Sequence, residues 1–342
     1  MDHVMSANSV WNGGESDFPA GGSVRQKLGY AVKCAAMAVS MDEWQPWQFR
    51  LGDHQVELSA QVGPGSETMD PDGRELMVRC GAILFHLKLT LKRFGCLGRV
   101  ELFPNLDRPG LVARIHGGCS PACGAQEAAL FEAMTRGQDG LASWTEAPVD
   151  ESRLEMFQGA MAGEKAWLEF ARSESSRNRL LAFSESGASA PATRHPAGAL
   201  SANLRVTQWT RPLLTFIVRG NEAESLTVEP AGRRAEQMAA LAVIKTKTDD
   251  KHGWLAAGQA MARLRLLARV SEVSSQVYDQ AFRSRHVREE LRTSIGHKGF
   301  AQAIIGFGLN LEAWTDTSLA QPAVIRDDAS DAVFPSRFRM GG

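Results

Sequence analysis

The sequence predicts an α+β fold in two lobes, on three observations. Stretches with apolar residues at helical spacing alternate along the chain with short stretches that alternate as strands do. Two long amphipathic helices, over 74–94 and 254–270, stand far apart in the chain. At 342 residues the chain can bury a large core, as two lobes or one duplicated domain.

Composition narrows the function classes. The formal net charge is −1, which argues against a nucleic-acid footprint or an anionic membrane surface as partner. Five irregularly spaced cysteines make no disulfide framework and suit a reducing cytoplasm. No stretch approaches about 18 uninterrupted apolar residues, so no membrane span is expected. Residues 1–22 are polar and rich in Gly and Ser, and read as a flexible arm without a signal-peptide core.

Ser23 is placed to cap a helix through about Val39, whose stripe is Val24, Leu28, Val32, Ala35, Ala36 and Val39. Pro46 forbids continuation of that helix. Trp47 to Leu51 and Gln55 to Ala60 alternate around Gly52-Asp53-His54, a hairpin signature. Asp70 to Gly73 is a turn that opens the helix over 74–94, with Leu76, Cys80, Ile83, Leu84, Leu87 and Leu91 on one broad face and Gly95 as its stop. His86 on that helix reads as a partly buried histidine bonded to a neighbour. Arg99 to Phe103 and Leu111 to His116 read as strands. His116, Cys119 and Cys123 lie close together, but no second Cys/His pair follows, so a Gly/Pro-rich connector is the reading rather than zinc, and no metal site is assigned.

Gln126 to Met134 starts a second helical block, and 150–172 read as helices. Residues 173–205 are rich in Ser, Ala, Arg and Pro with poor periodicity, as a lid or a structureless segment is. Leu213 to Val218 and Leu241 to Lys247 read as strands. Trp254 opens the second long helix, to about Val270. His286 to Ser294 reads as a helix and Phe300 to Gly308 as a strand.

Several of these residues carry a resemblance. Ser40-x-x-x-x-Gln45-Pro46-Trp47-x-Phe49, the block Asp70-Pro71-Asp72-Gly73-Arg74-Glu75 with Cys80-Gly81-Ala82, and the run Trp254-Leu255-x-Ala257-Gly258-Gln259-Ala260 resemble the Acg branch of the nitroreductase superfamily. The resemblance implies a nitroreductase-like α+β fold, two related halves with antiparallel sheets packed by helices. It implies an internal duplication that imitates a homodimer. The expected organisation is an arm at 1–22, a first half at 23–124, a second half at 125–308 with a lid at 173–205, and an extension at 309–342. A monomer with an internal pseudo-dimer is the default, and a homodimer the other reading.

The resemblance also implies FMN, with NAD(P)H as donor wherever FMN binds, and a small organic substrate. It places Ser40, Gln45, Trp44, Arg136, Ser274 and Ser275 at the cofactor. Here the chain departs from the family. Where His-Asn-Thr is expected after Ser40, this chain has Asp42-Glu43-Trp44. Where an arginine-rich run holds the FMN phosphate, it has Arg136-Gly-Gln-Asp139-Gly-Leu141, with one arginine and a carboxylate. A phosphate monoester carries about −1.5 to −2 charges and wants bidentate guanidinium partners. Two readings follow beside an oxidoreductase with a degenerate FMN site. One is a flavin-free enzyme in which Asp42, Glu43 or Asp139 does acid/base work in the vacated cleft. The other is a non-catalytic binding or sequestering protein with Trp44 filling the pocket.

Overall fold

In the computed structural model the described residues are 15–39, 47–61, 70–121, 123–135, 148–188, 238–279, 282, 284–295, 298–309 and 339–340. They form seven α-helices and two sheets. The helices are α1 (Val24–Val39), α2 (Arg74–Arg93), α3 (Ala125–Thr135), α4 (Glu151–Met161), α5 (Glu174–Ala188), α6 (Lys251–Val270) and α7 (Arg285–Ile295). The strands are β1 (Trp47–Leu51), β2 (Gln55–Ala60), β3 (Leu97–Leu102), β4 (Leu111–Gly117), β5 (Ala166–Phe170), β6 (Ala240–Thr246), β7 (Val273–Tyr278), β8 (Phe300–Leu309) and the short β9 (Arg339–Met340).

The two sheets have one topology. The first runs β3-β4-β2-β1 and the second β7-β8-β6-β5, with every one of these pairings antiparallel. The first adds β9 in parallel beside β1, so the far end of the chain returns to the first sheet. Each four-strand set packs against one long helix, α2 or α6. The α+β fold in two related halves is therefore present as a repeat of strand order, a stronger repeat than the residues themselves show.

α2 and α6 cross at the centre, and glycine sets their distance. Both helices have 20 residues, and in each the eighth is glycine, Gly81 and Gly258. A Cβ on Gly258 would sit 1.9 Å from the Val78 carbonyl oxygen, and one on Gly81 2.2 Å from that of Leu255. The backbones touch because there is no side chain to hold them apart. The apolar face of 74–94 is thus spent inside the chain.

Helix starts follow from local chemistry. Ser23 Oγ accepts from Gln26 N while Gln26 Oε1 accepts from Ser23 N, a reciprocal cap on α1. The Asp70 carboxylate accepts from Glu75 N and Leu76 N at α2, the Asp150 carboxylate from Arg153 N at α4, and the Asp250 carboxylate from His252 N and Gly253 N at α6.

Three expectations are corrected. Residues 166–170 are not helical: Ala166, Leu168 and Phe170 alternate inward against β6, and a period-2 stripe of five residues was masked by the helices before it. Residues 174–188 form α5 rather than a structureless lid, started where the Ser173 and Ser176 hydroxyls cap each other's backbone. Residues 15–22 are not a free arm. Phe18 stacks on Phe94 at 3.8 Å and meets Tyr30 edge-on, while Glu15 pairs with Arg93. The expected strand at 213–218 lies outside the described residues.

Candidate functional site

Most of the expected site residues, Ser40, Gln45, Trp44 and Arg136 at the cofactor and Asp42, Glu43 and Asp139 as acid/base groups, lie outside the described residues. Ser274 and Ser275 are described: both are half-buried on β7, opposite Gly308 and Phe307 of β8. The resemblance sets Ser274 to Gln280 behind a flavin ring; β7 holds the start of that stretch, and Phe282 follows it. What the described structure adds is the machinery that fixes this loop.

That machinery is a buried polar junction at the N-termini of α2 and α6. The turns before the two helices place aspartates alike: Asp72 precedes Arg74 by two residues, and Asp249 precedes Lys251 by two. Arg288 of α7, only 1% exposed, reaches between them. Its Nη2 lies 3.1 Å from Asp72 Oδ2 and its Nε 2.9 Å from Asp249 Oδ2. Its Nη1 donates to the Phe282 carbonyl at 2.7 Å. One guanidinium therefore ties both helix starts to the loop after β7.

A second arginine completes the junction. Arg74 Nε donates to Gln302 Oε1 at 3.2 Å, and its Nη2 donates to the Gln302 carbonyl. Gln302 in turn donates to Thr246 Oγ1 at 3.0 Å and to Asp249 Oδ1 at 3.3 Å. The Trp254 indole N–H donates to Asp249 Oδ1 at 2.6 Å. Burial pulls the Arg74 guanidinium down to about 10, against the attraction of Asp279, so it remains cationic near neutral pH. Burial alone would raise the Asp249 carboxyl, but the hydrogen bonds from Trp254 and Arg288 outweigh it and hold the group below the usual carboxylate range.

The chemistry of this donor set tests whether the loop region could hold a phosphate. Both guanidiniums face carboxylates, carbonyls or the Gln302 amide. Neither is aimed outward with a fork to spare, so the junction supplies no anion clamp. It can position the end of β7; it does not fit the phosphate end of a flavin nucleotide. Among the described residues no group of three or more His, Cys, Asp and Glu side chains could hold a metal ion.

The junction is absent from the sequence-based site. Asp72 and Arg74 are visible as turn, helix start and part of the block that carries the resemblance, and Arg288 and Gln302 as members of an ordinary helix and strand. The signal that could have found it is the matched pair of aspartates two residues before each long helix. His86 is buried on α2 beside Arg265 of α6, and burial pushes its imidazole down to about 3, so it is a neutral core residue.

Comparison with known proteins gives partial matches. No family model matches the chain. It is 35% identical over 85 residues to a Mycobacterium tuberculosis protein named "Putative NAD(P)H nitroreductase acg", covering 25% of this chain and 26% of that one. It is 35% identical over 88 residues to another from the same organism, "Putative NAD(P)H nitroreductase Rv3131", covering 26% and 24%. The matched stretch thus spans about a quarter of the length of these relatives. Solved structures that align include the FMN-dependent nitroreductase NfnB from Mycobacterium smegmatis in complex with NADPH, at 13% identity and TM-score 0.35, over 54% of this chain and 88% of that one. A nitroreductase with bound FMN from Bacteroides fragilis aligns at 10% identity and TM-score 0.35, over 54% and 89%. Among the described residues no helix is long and apolar enough to cross a membrane.

Proposed function

We propose that this chain, an Acg-like member of the nitroreductase superfamily, is an oxidoreductase-type enzyme acting on a small organic substrate, with an FMN site reduced at its phosphate end. The observation that carries the reading is the stretch shared at 35% identity with two proteins named as NAD(P)H nitroreductases. Ser40, Gln45, Trp44, Ser274 and Ser275 would line the ring, and Arg136 alone would face the phosphate across from Asp139. NAD(P)H is the donor only where flavin is held. The chain acts in the cytoplasm, as a monomer whose halves meet at Gly81 and Gly258.

A second reading rests on the sequence, where Asp42-Glu43-Trp44 and Asp139 stand at positions that the resemblance gives to flavin-contacting groups. In that reading the cleft would work without flavin. Asp42, Glu43 or Asp139 would then move protons, or Trp44 would fill the pocket of a non-catalytic binder.

The experiment compares FMN with riboflavin, which differs only by the phosphate. An intact clamp of two or more guanidiniums is worth about 3 kcal/mol or more, a preference for FMN on the order of a hundredfold. A reduced phosphate end predicts a ratio near one by fluorescence quenching. Strong preference for FMN would refute the reduced clamp while upholding the flavoenzyme. Absence of binding by either would remove the first reading, and loss of function in Glu43→Gln or Asp42→Asn would then separate enzyme from binder.

A further inference from the structure

The outer face of the first sheet carries a row of charge that the proposed function does not use. Strand alternation sends Trp47, Phe49 and Leu51 into the core and leaves Gln48 and Arg50 on the other side. Register then builds the row across four strands: Arg50 beside Glu57, Glu57 beside Arg114, and Arg114 beside Glu101. On the far side of Arg50 the register position is another arginine, Arg339 of β9.

Glu57 is the hub, and it is saturated. Arg108, from the turn between β3 and β4, places Nη1 and Nη2 each 3.1 Å from Glu57 Oε2. Arg114 places Nε at 3.1 Å and Nη2 at 2.8 Å from Glu57 Oε1. These two forks cover the carboxylate so fully that Glu57 is 5% exposed on a solvent-side face. Glu101 is likewise shared, between Arg114 and Arg99. Four guanidiniums, Arg50, Arg99, Arg108 and Arg114, thus share this face with two carboxylates, which the last three already pair. Among the described residues Arg50 has no ion pair, although it stands next to Glu57.

Beside Arg50 is a cavity of about 220 Å³, walled by Gln48, Arg50, Ser59, Gln61 and Arg108. Gln61 Nε2 donates to Gln48 Oε1 at 3.1 Å, which closes one wall. The Ser59 hydroxyl, opposite Gln48 in register, and the Arg50 guanidinium supply donors, Arg108 adds charge while both its Nη groups bond Glu57, and among the described residues the carboxylate beside Arg50, that of Glu57, is occupied. The volume equals roughly seven waters. It admits a phosphate or carboxylate group with part of its solvation.

We propose that this pocket binds a small oxyanion, the phosphate or carboxylate group of a small molecule, through the guanidinium of Arg50 with Arg108 and Ser59 in support. The unmatched charge gives attraction, and the planar fork of arginine gives selectivity for oxyanions over halide. The site lies on the outer face of the first sheet and is independent of the flavin question.

Calorimetric titration of the full chain with inorganic phosphate, and separately with succinate, at ionic strength held constant with chloride tests it. At least one of the two should bind saturably, and which one identifies the group. Arg50→Gln should weaken that binding at least threefold, with about tenfold expected, and Ser59→Asp should abolish it. Arg172→Gln, on a surface pair with Glu151 elsewhere, should leave it unchanged. Arg50 and Ser59 make no core contact, and thermal melts establish that the variants fold. Saturable binding of neither anion, or an Arg50→Gln affinity within threefold of wild type, overturns the proposal.

Discussion

Gly258→Ala adds one methyl group where two helix backbones touch. The new Cβ would lie 1.9 Å from the Val78 carbonyl oxygen, 2.8 Å from its carbon and 3.0 Å from Ala82 N. Close C–H···O contacts settle near 3.3 Å, so α2 and α6 must separate by roughly 1.4 Å at the crossing. No flexible side chain can yield instead, because the atoms met are backbone. A gap of that size forfeits a quarter or more of the dispersion energy along the seam between the helices. Overpacking costs about 1–3 kcal/mol and more where backbone must move, against about 1 kcal/mol gained by replacing a helical glycine. The net expectation is a loss of about 2 kcal/mol, a fall in Tm of roughly 4–8 °C. Gly159→Ala is the control. It is the same exchange within α4, where a Cβ would meet nothing within 4 Å, and it should stabilise by about 0.5–1 kcal/mol. Urea unfolding of the two variants reads both signs at once. A Gly258→Ala midpoint within about 0.5 kcal/mol of wild type would refute glycine as the spacer of the two halves.

Three further outcomes are expected. Arg288→Met leaves the exposed Asp72 and the half-buried Asp249 without their shared cation and should cost about 3 kcal/mol by denaturant titration, partly recovered by adding Asp249→Asn. Asp249 has its carboxyl held low in the folded state, so its share of stability is present above the unfolded carboxyl range and lost as pH falls. The gap between wild type and Arg288→Met should therefore narrow below about pH 4. His86 has the opposite ionisation but the same sign: its folded value is about 3 against 6.5 unfolded, so the unfolded chain takes up a proton first and stability declines from pH 6.5 downward. Between pH 6.5 and 5 wild type should lose about 2 kcal/mol more than His86→Leu, and parallel curves for the two would reject a buried neutral imidazole.

The framework was legible because its signals are local. The stripe from Val24 onward, the hairpin around Gly52, Asp53 and His54, and the broad face of α2 gave element ends within a residue or two of those observed. β5 was not legible, since five residues after a capped helix and a 3-10 turn offer too short a window for period 2 to outweigh the helix before it. The junction was not legible for another reason. Arg74, Asp249, Arg288 and Gln302 are up to 228 residues apart, and only tertiary closure makes them neighbours. Buried arginines are also placed against the usual expectation that such residues are exposed.

The duplicated topology sharpens where function should be sought. Strand order and the helix crossing are common to both halves, so they answer to stability. The differences are in the links. β1 and β2 are joined by three residues, Gly52-Asp53-His54, whereas β5 and β6 are separated by 171–239; β3 and β4 are joined by 103–110, whereas β7 and β8 are separated by 279–299, which contains α7. Loops carried on a rigid scaffold are where binding groups collect. The Arg288 junction sits at the base of one of these expanded links and anchors Phe282 to both helix starts, so the second half spends its buried charge on holding that link in place. A link that merely filled space would not need two arginines withdrawn from solvent to fix it.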